Sequence, residues 1–280
     1  MSASKVPALA GLSKWDTPYS LWAKATGRTD GQPVNTEVTE RGDAIEPALL
    51  RWLEFKLTEL GETVRVRPGA TFAQPSHKTW QATPDGLVYE GKRRTPYALV
   101  ECKTAANGGE WGEPGTAEIP PAYLAQCAWQ MHVTGLRTVY VPALVNPGIR
   151  LNLWVVRWAD VADTVDALCD AAAQWEHDVA TDTAPALDGS PVTWETVRDM
   201  SPEIDPDGSV TLDAWDAAEL VAAREAKKAA EERLNLAQSA TVTAAAGART
   251  ILGPDGTTLA RLTARKTRTG DYGKPFLQFT

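Results

Sequence analysis

The chain has little of what marks a secreted or membrane-bound protein. It holds three cysteines, Cys102, Cys127 and Cys169, in 280 residues. An odd number at wide spacing argues against a disulfide framework and against a four-cysteine metal or iron–sulfur site. A reducing cytoplasm is the expected compartment. No apolar run approaches the ~18–20 residues that a bilayer-spanning helix needs, so no membrane is expected as a partner. The opening MSASKVPALAGLSKW has one early lysine and a broken apolar stretch, which is not a secretory pattern. There is no internal repeat. There is no excess of positive charge either: 36 acids against 28 Lys/Arg give a net −8, a total that by itself speaks against nucleic acid.

The charge is unevenly spread. Residues 155–245 carry 19 acids and 6 Lys/Arg, whereas residues 246–280 carry 6 Lys/Arg and 2 acids. An acidic exterior with local basic surfaces is compatible with a polyanionic substrate and equally with plain solubility. The length suits one large core or a core with appendages.

Periodicity supplies the elements. A short helix is expected over 15–27, entered at Pro18 and stopped at Gly27. In RGDAIEPALLRWLEFKLTELG, Ile45, Leu49, Leu53, Leu57 and Leu60 recur at helical spacing, with Asp43 as N-cap and Glu46 completing a capping box. Strands follow in ETVRVRP and in two segments, up to Glu90 and up to Thr104, joined by the basic turn GKRR (91–94). A Gly/Pro-rich loop over 107–121, which carries Trp111, is long enough to be functional or mobile. A helix in PAYLAQCAWQMHVTG ends at Gly135. Two strands flank Asn146-Pro147-Gly148, and an acidic helix comes next. The expected organisation is an α/β core over 1–180, a linker over 181–210, and a long Ala-rich helix with a β-hairpin over 211–280 that serves assembly or partner docking.

The segment LVECKTA (99–105) carries the chemistry. Alternation along a strand puts Val100 and Cys102 on one face and Glu101 and Lys103 on the other. Burying either charge unpaired costs several kcal/mol. Asp85 follows Pro84 at the start of the preceding strand. If the two strands pair, Asp85 and Glu101 fall at the same end of the ladder and repel unless a cation sits between them. Mg²⁺ takes such carboxylate oxygens, and a nearby lysine suits an attacking water or a phosphate. An exposed edge-strand ion pair accounts for the bare motif as well. Glu46, in Gly42-x-x-x-Glu46, offers a third acid. Tyr123, Gln126 and Gln130 stand at i, i+3 and i+7 on one helical face, either beside such a site or in solvent.

Asp followed at some distance by Glu-x-Lys resembles the PD-(D/E)xK nucleases. The series VPALAGLSKWDTPYSLWAKATG, RGDAIEP, TPDG, VECKTA, EWGEPGTAEIPPAYLAQCAWQMHVTG and WEHDVATDTAPALDGS resembles the YqaJ-like viral recombinases, relatives of bacteriophage lambda exonuclease. The resemblance implies a restriction-endonuclease-like α/β core, with a mixed central sheet flanked by helices and a C-terminal helical and hairpin appendage. It implies a 5′→3′ double-strand DNA exonuclease that leaves 3′ single-stranded tails for an annealing protein, dependent on Mg²⁺ (Mn²⁺ also serving) and assembled as a trimeric ring. Glu46, Asp85, Glu101 and the Cys102 carbonyl would hold the metal. Lys103 would activate or orient the water, and Gln126 would support the site. Ser4, seven residues before Gly11, would lie near the terminal 5′ phosphate, with Tyr123 and Gln130 also on the substrate side. The basic segments 91–94 and 264–268 are candidate phosphate-backbone contacts. The alternatives are an endonuclease or flap nuclease of the same fold, and a non-catalytic DNA-end adaptor.

Overall fold

The computed structural model describes residues 1–31, 36–106, 108–145, 150–201, 203–266 and 272–279, apart from the side chain of Val38. The turn expected at Asn146-Pro147-Gly148 lies outside the described residues, as do positions 267 and 268 of the basic segment 264–268. The chain forms two compact units, Met1–Pro202 and Glu203–Thr280.

The first unit begins with helices α1 (Val6–Leu9), α2 (Pro18–Ala25) and α3 (Thr36–Glu59). Strands β1 (Val64–Pro68), β2 (Phe72–Gln74), β3 (His77–Ala82), β4 (Gly86–Glu90), β5 (Ala98–Val100) and β6 (Lys103–Ala105) follow. Helix α4 (Pro121–Thr134), strands β7 (Thr138–Val145) and β8 (Arg150–Arg157), and helices α5 (Trp158–Ala180) and α6 (Pro191–Asp199) complete it. The second unit holds α7 (Ala214–Ala245), β9 (Thr250–Leu252), β10 (Thr258–Thr263) and β11 (Phe276–Phe279).

The central sheet is mixed. β1, β4 and β5 pair antiparallel, β5 and β6 both run parallel to β7, and β8 returns antiparallel on β7. Leu99 faces Val139 and Lys103 faces Ala143 in one unchanged register. β5 and β6 are therefore one strand line interrupted at Glu101 and Cys102. The two sheet faces bury different residues. Leu50, Leu53 and Leu57 of α3 cover Val88 and Val100 on one side. Leu87, Leu99, Val139 and Val141 pack with Cys127, Trp129 and Met131 of α4 and Val165 of α5 on the other. This is the expected mixed α/β core with helices on both faces.

Two local expectations change. Helix α3 starts at Thr36, so Asp43 and Glu46 lie inside it and form no capping box. Pro47 is also interior, which leaves the Asp43 carbonyl without an intrahelical N–H. Within the segment read as a linker, α6 is helical, N-capped by Ser190, and the buried Thr193 hydroxyl meets that of Thr17 at 2.8 Å. At the N-terminus, buried Asp16 takes Lys5 at 2.6 Å and Lys24 at 2.7 Å. Burial alone would raise its pKa, but the two lysines outweigh it and hold the carboxyl below its usual range.

Candidate functional site

Asp85 sits one residue before β4. Gly86 pairs with Val100 across β4–β5, so Asp85 stands across from Glu101 where the strand line breaks. Glycine is required on both sides of this acid. A Cβ on Gly86 would lie 2.7 Å from Leu50 Cδ2 and 3.1 Å from Val100 Cβ, and one on Gly69 would overlap the Pro84 carbonyl. The chain reverses close to the Asp85 backbone, and the Cys102 N–H donates to Asp85 Oδ2 at 2.6 Å.

Glu101 is 3% exposed. Its Oε1 accepts from Lys103 Nζ at 2.5 Å and from Gln126 Nε2 at 2.6 Å, and its Oε2 accepts from Gln130 Nε2 at 2.6 Å. Lys103 Nζ also donates to Gln126 Oε1 at 3.1 Å and sits 4.7 Å from the centre of the Tyr123 ring. The helical spacing of Tyr123, Gln126 and Gln130 therefore points all three at the Glu–Lys pair. Gln130 is fully buried, which excludes a solvated helix face. Its Oε1 finds no hydrogen-bond partner among the described residues.

Asp85, Glu101, Cys102, Lys103 and Tyr123 line a cleft of about 270 Å³ together with Thr39, Gly42, Asp43, Glu46, Leu49 and Thr104. Asp43 was not expected there. Its spacing of three from Glu46 puts both on one face once the helix begins earlier. Burial, Glu101 and Glu46 push Asp85 up to about 7, against the opposing pull of Lys103 and the Cys102 N–H. Burial, then Asp43 and Glu101, raise Glu46 as well. Burial works against the Lys103 ammonium, but Glu101 and Asp85 outweigh it and raise its pKa. Burial raises the Cys102 thiol, whose side chain packs against the α3-side core. A protonated thiol is not a metal ligand.

Among the described residues, no three of His, Cys, Asp and Glu stand close enough to hold a metal as they are arranged. Lys103 fills the position beside Glu101 that a cation would take. The donor set still suits a hard divalent ion. All the side-chain donors are carboxylate oxygens, and burial together with the neighbouring acids raises Asp85 and Glu46, a strain that a bound cation would relieve.

Ser4 is exposed, with its hydroxyl 3.3 Å from that of Ser2, and does not line the cleft. The loop before α4 is tied down rather than free. The Gly115 N–H donates to Leu153 O and the Val155 N–H to Thr116 O, while Trp111 packs on Trp154 at 4.5 Å and Tyr123 at 5.8 Å between ring centres. Asn107 lies outside the described residues. In the basic turn, Arg93 pairs with Glu90 at 3.1 Å. A larger cleft of about 480 Å³ between α3 and β1 contains one acid, Glu54, which already accepts from the Val66 N–H at 2.6 Å. It has no comparable cluster.

Known proteins resemble this chain over part of its length. A curated relative, the uncharacterized protein YqaJ of Bacillus subtilis (strain 168), is 28% identical over 222 residues, which is 76% of this chain. The chain spans 64% of that relative's length. Crystal structures of an alkaline exonuclease from Laribacter hongkongensis, alone and in complex with dAMP, are each 19% identical. They cover 65% of this chain and 90% of their own, with TM-scores of 0.44 and 0.45. The family model for the YqaJ-like viral recombinase domain matches residues 1–137, the stretch that contains Glu46, Asp85, Glu101, Lys103 and both glutamines. Over residues 1–137 the chain is therefore similar to the YqaJ-like viral recombinase domain.

Proposed function

We propose that the chain is a divalent-metal-dependent DNA exonuclease. The observation that carries the reading is the convergence of Asp85, Glu101 and Lys103, with Glu46 in the same cleft, at a break in the central strand line. Glu46, Asp85, Glu101 and the Cys102 carbonyl would hold Mg²⁺ or Mn²⁺. When bound, the ion supplies positive charge that neutralises the scissile phosphate. Lys103 then orients the attacking water and offsets the charge that develops on the phosphate oxygens. Gln126 and Gln130 fix the Glu101 carboxylate, and Tyr123 packs against the Lys103 ammonium.

The polarity we propose is 5′→3′ on duplex ends, giving 3′ tails for an annealing protein, in an oligomer. Polarity, annealing partner and ring rest on family resemblance. The core is assigned to residues 1–180, and the long helix of the second unit to assembly.

The test is digestion of linear duplex labelled at the 5′ or the 3′ end, with and without a 5′ phosphate, beside covalently closed circles. Early release of the 5′ label with circles intact is the expected result. Rapid cutting of circles makes the chain an endonuclease using the same residues. If duplex stays untouched with Mg²⁺ and with Mn²⁺, the chain is a binding adaptor.

A further inference from the structure

The second unit carries a cationic, aromatic face that supplies none of the residues lining the Asp85–Glu101–Lys103 cleft. Residues 246–280 hold 6 Lys/Arg and 2 acids, a net +4 in a chain of −8. The register of β9–β10–β11 sorts these residues by face. Ala260, buried, stands opposite Ile251 and Phe279, and Leu262 stands opposite Leu277. The other face presents Arg261 opposite Gln278 and Thr263 opposite Phe276. Phe276 is 40% exposed.

The Arg265 guanidinium lies 5.6 Å from the centre of the Phe276 ring. Arg265, Lys274, Phe276 and Gly273 line a cleft of about 230 Å³, closed at one side by the Gly273 N–H donating to Arg265 O at 2.9 Å. Among the described residues no carboxylate lines it. Arg261, Arg265 and Lys274 make no ion pair among the described residues. The acid Asp255 is held at the opposite turn by the Thr257 N–H and hydroxyl.

We propose that this face binds single-stranded nucleic acid. Cations that make no ion pair among the described residues of an acidic protein attract a polyanion locally. An exposed ring beside them offers a stacking surface for a base, and every base has a π-face. A single strand can present the face of any of its bases to the ring, whereas a duplex exposes one only at its ends, so the proposed occupant is single-stranded. The proposed exonuclease reaction produces such a strand, but the binding is measured without catalytic metal and stands or falls separately.

The probe is a fluorescein-labelled oligothymidylate of about 20 nucleotides, titrated with the full chain in EDTA and read by anisotropy. Arg265→Ala with Lys274→Ala should weaken binding about tenfold or more and make the log affinity–log salt slope shallower by about 1.4, two single-strand phosphate contacts. Phe276→Ala should weaken it about fivefold or more, whereas Phe276→Tyr, which keeps the ring, should bind as the wild type does. Parallel titrations use oligouridylate, blunt duplex and polyglutamate. Equal losses on both oligomers with little change on duplex support the site, and loss on one alone supports it and shows which of the two strands is recognised. Affinities within twofold of wild type in both alanine variants overturn the proposal. So do equal losses on duplex, or a larger loss on polyglutamate, which would make this a docking face for an acidic protein.

Discussion

Gln130 donates to Glu101 Oε2 at 2.6 Å from a fully buried position on α4. Its partner Gln126, one turn earlier, takes the other oxygen at 2.6 Å. The two amides and Lys103 leave the buried carboxylate little rotational freedom. Replacing Gln130 with Leu removes one of these donors and leaves Oε2 short of a hydrogen bond, at a cost of about 1–3 kcal/mol. The expected result is a lower urea midpoint together with a reduced kcat. An unchanged midpoint and unchanged rate would show that Glu101 needs no such support.

Lys103 serves Glu101 as an internal counter-ion in the metal-free protein, with the side chains 16% and 4% exposed. Lys103→Met should therefore have two separable effects. The metal-free protein loses stability, about 3–5 kcal/mol for a broken buried pair. Cleavage falls by about 10²–10³-fold. Metal binding, followed by calorimetry, should persist or tighten, because the lysine no longer occupies Oε1. Loss of metal affinity in this variant would contradict the assigned division of labour between the carboxylates and the lysine.

Asp85 gives a pH signature whose sign follows from linkage. Its folded pKa is raised from 3.8 to about 7 by burial and by Glu101 and Glu46. Between these values the folded state binds more protons at this site than the unfolded state does. Stability from this group is therefore present below about 4 and is lost as pH rises towards about 7. In EDTA the difference in thermal midpoint between wild type and Asp85→Asn should shift in favour of the variant over that window. Added Mg²⁺ should stabilise the wild type at the upper end of the window and not the variant. A difference that does not change with pH in EDTA would remove Asp85 as a strained acid.

What the sequence revealed was local in origin. The period of two along LVECKT and the i, i+3, i+7 spacing of Tyr123, Gln126 and Gln130 are properties of a strand and a helix. They correctly put Glu101, Lys103 and the amides on facing surfaces. The meeting of Asp85 with Glu101 needed only the pairing of neighbouring strands. The misread features were set by competing or distant contacts. Asp43 has the chemistry of an N-cap, and Glu46 three residues on that of a capping box, but the helix reaches back to Thr36. The loop before α4 looks free in sequence, yet backbone bonds to β8, more than 30 residues on, hold it. The nine-residue α6 is fixed by its contact with Thr17, some 176 positions earlier.

Gly86 links fold to site. It lies between Asp85 and the first core residue of β4, and α3 passes so close that an added Cβ would sit 2.7 Å from Leu50 Cδ2 and 3.1 Å from Val100 Cβ. Leu50 belongs to the tightly packed α3-side core, so neither neighbour moves freely. Gly86→Ala should cost about 1–3 kcal/mol through overpacking. It should also push α3, and Glu46 with it, away from Asp85 and Glu101. The expected outcome is a lower unfolding midpoint together with weaker metal binding by calorimetry. The double variant Gly86→Ala, Leu50→Ala gives the added methyl room and should recover metal affinity even if stability stays low. Failure of that rescue would mean that the glycine serves the local strand conformation rather than the approach of α3 to the site.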